Sequence, residues 1–465
     1  MRIKTDPKLV YNSFVGKKIN WIILFVLIFI VSFFNRWIFV HKFEPEYWEN
    51  YYYTSQWNIP NSKRVISDGG VYRYIGYRLV NGENPFNVDY WVPPFGKYWY
   101  GVGAKYLHNP YLISFTFYIL SIIVFRLLTK LIIKKENTQW LAVYLWTINP
   151  IIVEQVWQTM LDLPLVLLFI AHIYFLFRFN KEKSIKTLIL AAIFLGLAAG
   201  TKPAYFVPMI GLIDWWWIWQ SGKKDKIKNL FLYLFFVFGG YVLAYTCYFI
   251  AHPNPIPWIR LHEKVINFHK GSGGSHDVLN IFKTIFLDKY KGFWVGGKEM
   301  IVESWSLVLP IGTILLAKNI LFFKKTIKQN PKIIYLSLIG IGYISMCLTI
   351  DFWPRYLVFL IPILILIVVD FFQNKTIILI LLLFSYFPWL RYNFFPNSEK
   401  IQTEWNQNIS SQHYREAYRT LDYSSRQKIS EDAWLKYWEN NKEDNFSKNL
   451  ILENNQWRIK IEKGF

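Results

Sequence analysis

An all-α polytopic membrane protein with about eleven transmembrane helices is the fold class this sequence predicts. Three observations predict it. The 465 residues are 53% hydrophobic and 20% aromatic, more apolar than a soluble chain of this size usually is. The apolar residues fall in long runs, and a helix needs roughly 20 of them to cross a bilayer. The net charge of +21 is gathered in short turns between alternate runs.

The runs centre on 19–40, 111–133, 138–154, 162–178, 187–200, 203–219, 230–251, 305–323, 333–350, 356–371 and 376–390. Several are short, and 187–219 can also be read as one bent hairpin. Lys17 and Lys18 precede the first run, Lys134 and Lys135 follow the second, and Lys181, Lys183 and Lys186 follow the fourth. Lys223, Lys224, Lys226 and Lys228 follow the sixth, and Lys324, Lys325, Lys328 and Lys332 the eighth. All fall on one side if the N-terminus is cytoplasmic, the side where short basic loops collect. Topology therefore accounts for the charge, and no nucleic-acid partner is expected. The first run is too long for a removable signal peptide and lacks an A-x-A-like cleavage site, so it reads as a retained span. Cys247 and Cys347, both within apolar runs, offer no disulfide framework or zinc site.

Residues 1–390 then form a transmembrane domain with two long outer loops, 41–110 and 252–304. Residues 391–465 form a small extracytoplasmic tail, in which "EDAWLKYWENN" suggests a helical element. The outer segments far exceed the inner turns, which points to work done on the outer face. In the first loop, "SDGGVYRYIGYRLVNG" predicts a short amphipathic helix, with Tyr72, Ile75, Gly76, Leu79 and Val80 on one face. Asp68 opens it and Gly82 stands where a C-terminal cap belongs. Such a helix would lie along the membrane interface, apolar face down, its positive end favouring an ionised Asp68. Next comes "YWVPPFGKYWYG", residues 90–101. Its two prolines argue against a regular helix there and predict a tight turn that aims Lys97. In the second loop, His262, His269 and His276 read as solvated histidines or as the lining of an acceptor groove. "HKGSGGSH" lacks phosphate-loop spacing and reads as a flexible lid.

Asp68, Lys97, Asp162, Lys202 and Arg355 all adjoin the outer ends of spans, where ionisable groups are costly and usually functional. Each also has a plain structural reading. Asp68 and Asp162, the latter with Pro164 in the first turn, suit helix caps. Lys202 could snorkel, Arg355 could pair with Asp351, and Lys97, with no acidic neighbour in its own segment, could be an exposed loop lysine. Their convergence on one face favours chemistry. Cations stabilise charge developing on a leaving phosphate, and a carboxylate takes the proton of an attacking hydroxyl. A phosphate borne by a lipid would meet them at the membrane surface.

At this point the chain resembles the polytopic GT-C glycosyltransferases, similar to dolichyl-phosphate-mannose protein mannosyltransferases (glycosyltransferase family 39-like) and bacterial polyprenyl-phosphate-sugar-dependent transferases. The resemblance rests on "SDGGVYRY", on "PPFGK" (like the family's PPLGK), on "MLDLPL" and on "PRYLVFLIP", with weaker support from "GLAAGTK". It covers roughly residues 15–390. It implies a GT-C-type bundle that moves a sugar, a mannose-like hexose, from a polyprenyl-phosphate donor to an extracytoplasmic acceptor by inverting displacement. Asp68 would be the general base and Asp162 its partner or an acceptor-orienting acid. Lys97, Arg355 and Lys202 would hold the donor phosphate. Some members carry two adjacent first-loop acids, whereas Gly69 follows Asp68 here, which speaks against a protein acceptor and a first-loop metal. No cofactor is expected, and a divalent metal is not favoured. The partners implied are the lipid-phosphate sugar, an unidentified glycan, lipid or protein acceptor, and the membrane, a prokaryotic plasma membrane in preference to the endoplasmic reticulum. The rival reading is a multi-span transporter or flippase, its charges lining a path. A cavity open outward and to lipid with Asp68 at its floor would favour the enzyme.

Overall fold

A computed structural model describes residues 7–389, apart from 61, 63, 65, 203–205, 221–224, 272–276, 293–298, 351 and 388, together with 450–453 and 456–459. The chain is mostly helical. Helices of eight or more residues are α1 (Pro7–Phe34), α2 (Pro45–Thr54), α3 (Asp68–Val80), α4 (Phe95–Tyr106), α5 (Tyr111–Ile132), α6 (Glu136–Thr147), α7 (Asp162–Glu182) and α8 (Ile185–Ala199). They continue with α9 (Val207–Gln220), α10 (Lys226–Leu243), α11 (Pro255–Gly271), α12 (Asn280–Leu287), α13 (Val308–Leu321), α14 (Pro331–Cys347), α15 (Leu357–Phe372) and α16 (Thr376–Phe384). Besides shorter helical turns there are two antiparallel strand pairs: β1 (Lys289–Lys291) with β2 (Glu299–Ile301), and β3 (Leu450–Glu453) with β4 (Gln456–Ile459).

By length and composition, α5, α7, α10 and the stretch Pro354–Phe372 can cross a membrane; Lys18–Phe34, α8, α13 and α14 are shorter apolar helices. The chain is thus an integral membrane protein. Some of the expected runs are broken. Run 138–154 divides at Pro150, where Asn149 caps a new helix by accepting from Ile151 N. Run 230–251 divides after Leu243. The core is centred on α15, whose residues Leu357–Val369 are all buried, with α6, α7, α13 and α14 packed around it.

The bundle has two chemically distinct ends. At one, Lys332 Nζ donates to Leu131 O at the end of α5, and Asn330 Nδ2 donates to Asp370 Oδ1 at 3.1 Å. Lys332, Lys134 and Lys181, from three of the basic turns, come together here. At 1.5 Å per residue, α7 runs about 30 Å from this end to Asp162, and Arg355 sits just ahead of α15 at the same opposite end. Between the ends lies a buried polar knot. Asp214 of α9 accepts from the hydroxyls of Tyr233 (α10) and Tyr335 (α14), the latter at 2.5 Å, with His172 Nε2 of α7 at 3.4 Å.

In the segment 41–110 the expected helix forms as α3, with Ser67 Oγ capping Gly70 N and Gly82 closing the end at φ +94°. It does not lie apolar face down on the membrane. Its apolar face is covered by protein: Val71, Ile75 and Leu79 are buried in a cluster with Phe43, Trp48 and Ile66. Arg73, on the polar side of the sequence pattern, is also buried. It lies 3.8 Å over the Trp48 ring and donates to the Tyr111 hydroxyl. The prolines at 93–94 precede a helix rather than prevent one. Pro94 is the N-cap of α4, and α3 and α4 pack backbone to backbone at Gly76 and Gly101.

In the second loop, His262 is half-buried rather than solvated. Its Nδ1 donates to Trp258 O at 2.7 Å and its Nε2 accepts from the Tyr241 hydroxyl at 2.6 Å. The side chains of His269 and His276, most of "HKGSGGSH", and "EDAWLKYWENN" lie outside the described residues. Cys247 is exposed and Cys347 buried; both are free thiols.

Candidate active site

The segment before α7 is pinned from three helices. Ser114 Oγ (α5) donates to Gln158 O at 2.7 Å, Thr159 Oγ1 donates to Gly69 O (α3) at 2.6 Å, and the Tyr100 hydroxyl (α4) donates to Met160 O at 2.6 Å. A Cβ at 69 would stand 3.1 Å from Thr159 Oγ1, so a small residue is wanted beside Asp68. These bonds place Asp68 and Asp162, each the first residue of its helix, on one rim.

Four of the five charged residues singled out in the sequence form an alternating chain there. Asp68 Oδ2 takes a hydrogen bond from Arg355 Nη2 at 2.5 Å; Arg355 Nε faces Asp162 Oδ2 at 3.9 Å; Asp162 Oδ1 accepts from Lys202 Nζ at 2.5 Å. Lys202 also lies 4.3 Å over the Tyr356 ring, and Phe95 N donates to Gly200 O at 3.0 Å, tying its approach to α4. Two plain readings are thereby corrected. Asp162 makes no cap bond and spends both oxygens on cations. Lys202 pairs instead of snorkelling. Arg355 takes Asp68 as its partner, Asp351 lying outside the described residues. Asp68 and Arg355 are the open members, with 31% and 24% of their side chains exposed, and Asp162 is the most enclosed at 7%.

Lys97 stands apart from this chain. It lies in the first turn of α4, fully buried, and its Nζ donates to Asp89 Oδ2 at 2.9 Å and Val92 O at 2.5 Å. The expectation of no acidic neighbour is corrected: Asp89 is eight residues upstream, and the prolines fold the chain so that the two side chains meet. Burial works against both charges, drawing Lys97 down and Asp89 up from their ordinary values, while their mutual attraction opposes it.

Two tyrosines that the sequence did not single out as site residues border the site. Tyr72, one turn beyond Asp68, feels Asp68, Arg355, Asp89 and Asp162 together; burial first, then Asp68, raises its hydroxyl and keeps it a neutral donor. Its place on the apolar face gave no sign of this. Tyr290 of β1 packs against Trp353 at 6.0 Å between ring centroids and senses Arg355. The arrangement offers two cations to an anion and one open carboxylate to a proton. Among the described residues, no group of three or more His, Cys, Asp or Glu side chains is disposed to hold a metal ion.

Residues 93–249 match the family model of dolichyl-phosphate-mannose-protein mannosyltransferases. The match begins at the first proline of "PPFGK" and includes Asp162 and Lys202, while Asp68 and Arg355 lie outside it. That segment is glycosyltransferase-like, as the motifs suggested. No curated protein sequence matches the chain. Among solved structures, ArnT from Cupriavidus metallidurans in the apo state is similar at 13% identity and a TM-score of 0.49, over 77% of this chain and 62% of that one. The same protein bound to undecaprenyl phosphate is similar at 11% identity and a TM-score of 0.48, over 87% and 69%. The chain thus spans less than two thirds of the length of the first of these structures.

Proposed function

We propose that the chain is a membrane glycosyltransferase that moves a sugar, preferably a mannose-like hexose, from a polyprenyl-phosphate donor to an acceptor on the outer face of a prokaryotic plasma membrane. The observation that carries this reading is the Asp68–Arg355–Asp162–Lys202 chain at the end of the bundle remote from the lysine-rich turns. The match of residues 93–249 to a lipid-phosphate-dependent family adds support. That remote end is the outer one if basic turns face the cytoplasm.

The reaction is a single displacement. The acceptor hydroxyl gives its proton to Asp68 as its oxygen bonds to the anomeric carbon. The bond from that carbon to the phosphate oxygen breaks on the opposite face, and its electron pair leaves with the phosphate. Inversion follows. Arg355 and Lys202 stabilise the departing charge, and Asp162, bonded to one and facing the other, positions both. Arg355 also binds Asp68, so a phosphate that draws on the guanidinium loosens that hold and frees the carboxylate to meet the acceptor hydroxyl as the donor arrives. Lys97, neutralised by Asp89, holds the loop rather than the phosphate in this scheme.

The test is transfer by purified protein from a panel of polyprenyl-phosphate sugars, comparing wild type with Asp68→Asn and Arg355→Ala. Wild type should release lipid phosphate with one donor, and Asp68→Asn should lose about 10²–10⁴-fold in rate. Robust turnover by Asp68→Asn would pass the base role to Asp162. A wild type that binds no lipid donor would favour the transporter.

A further inference from the structure

A cavity of about 860 Å³ opens at the far end of α3, not over Asp68. Its walls come from α2, the last turns of α3 and the chain just beyond. From Asp68 to Tyr77 is about 13 Å along the helix axis, so the cavity lies about two and a half turns from the charge chain. Its volume falls in the range of small-molecule sites, roughly 300–1,000 Å³.

The lining is specific in kind. Tyr77 supplies a partly exposed ring with the buried Tyr74 beside it, and Asn50 and Asn81 supply amides. Glu44, Glu46 and Glu49 are exposed carboxylates that form no ion pair among the described residues, whereas Glu83 is held by Arg78 at 2.5 Å. With Arg64 as the other cation, carboxylates outnumber guanidinium groups on the wall, in a chain whose net charge is +21. Flat rings beside amides and carboxylates suit a ligand with one apolar face and many hydroxyls. The surplus carboxylate repels phosphates and uronic acids. A metal ion does not fit, since no three ligating side chains converge among the described residues.

We propose that this cavity binds the acceptor as a non-anionic oligosaccharide, neutral or amine-bearing, and that opposite wall charges sort the two substrates. The anionic donor goes to Arg355 and Lys202, and the hydroxyl-rich acceptor to the carboxylate-lined groove. The inference rests on the transferase reading for the acceptor role, but binding itself can be measured without it.

The experiment is calorimetric titration of the full chain in lipid nanodiscs, without donor, using mannotetraose, chitotetraose, tetraglucosamine, tetragalacturonate and a lysine-rich peptide. At least one of the first three should bind, and tetragalacturonate should not. Glu46→Gln/Glu49→Gln, which alters only exposed side chains, and Tyr77→Ala should each weaken binding about tenfold, as expected for lost hydrogen bonds to charged groups and a lost ring face. Binding of no oligosaccharide, equal binding by the variants, equal binding of tetragalacturonate, or binding of the peptide alone would overturn the proposal. Transfer assayed alongside separates the two ideas. Transfer without groove binding sinks the groove alone; groove binding without transfer from any donor sinks the transferase.

Discussion

Replacing Gly76 with alanine would test the contact that sets Asp68 against the rest of the site. A Cβ at 76 would stand 2.2 Å from the Lys97 carbonyl oxygen and 2.8 Å from the Gly101 nitrogen. Both are backbone atoms of α4, so no rotamer change relieves the clash. Reaching an ordinary contact at about 3.4 Å moves α3 away from α4 by about 1.2 Å. Overpacking of this kind costs about 1–3 kcal/mol, and the backbone partners put Gly76→Ala near the upper figure. Asp68, the proposed base, rides on the same helix, and misplacement of a catalytic group by about 1 Å can cost about 10²-fold in rate. The assay is thermal unfolding of the purified protein paired with lipid-phosphate release. Gly239→Ala is the control. A Cβ there meets nothing within 4 Å, and a helical glycine exchanged for alanine gains up to about 1 kcal/mol. Should Gly76→Ala keep both the melting temperature and the turnover of wild type, the α3–α4 packing and the placement of Asp68 argued from it would both be wrong.

Three further outcomes are expected. Lys97→Met strands Asp89 in the interior without its counter-charge, at a cost of about 3–5 kcal/mol, and adding Asp89→Leu should recover most of that; equal losses in the single and double variants would show that the pair is not the source. Asp214→Leu leaves the Tyr233 and Tyr335 hydroxyls without their acceptor and should cost about 3 kcal/mol, read as a lower melting temperature; an unchanged melt would mean the knot holds nothing. His262 has its proton affinity lowered, chiefly by burial. The undocked imidazole therefore takes up a proton near its ordinary value while the docked one does not. Docking of α11 on α10 weakens as pH falls below about 6.5, so hydrogen exchange in 255–267, corrected for intrinsic rate, should speed up at pH 5 relative to pH 7.5. A His262→Asn variant with the same pH response would rule His262 out.

Asp68, Asp162, Lys202 and Arg355 were legible because ionisable groups beside apolar runs are few and each carries its position with it. Their pairings were not legible, since the partners of Asp68 and Lys202 lie in other helices. The Lys97–Asp89 pair was hidden for a different reason. Eight residues with two prolines between them suggest separation, and only the fold shows the prolines turning the chain back on itself. The helix at 68–80 was predicted from its apolar period, but that period is the same whether the face meets lipid or protein. Arg73 shows the limit: an arginine on the polar side reads as solvated until a tryptophan from α2 is found beneath it. Gly76 and Gly101 did leave a signal, since glycine inside a helix costs stability and needs a packing reason, but one sequence does not say which glycines approach one another.

The Asp68–Arg355 contact joins residues 287 apart, whereas Asp162–Lys202 closes over only 40. Synthesis runs from the N-terminus, and early segments fold first. The short closure can therefore form while the ribosome is still making α10, whereas Asp68 waits for the last helices to enter the bilayer. Until then, of the four members of this chain, two carboxylates stand against the single cation of Lys202. On the proposed reading, catalytic competence is a late event in biogenesis. Fragments divided within 252–304 would then be inert apart and active only once reunited, which makes the proposed active site a reporter of completed assembly.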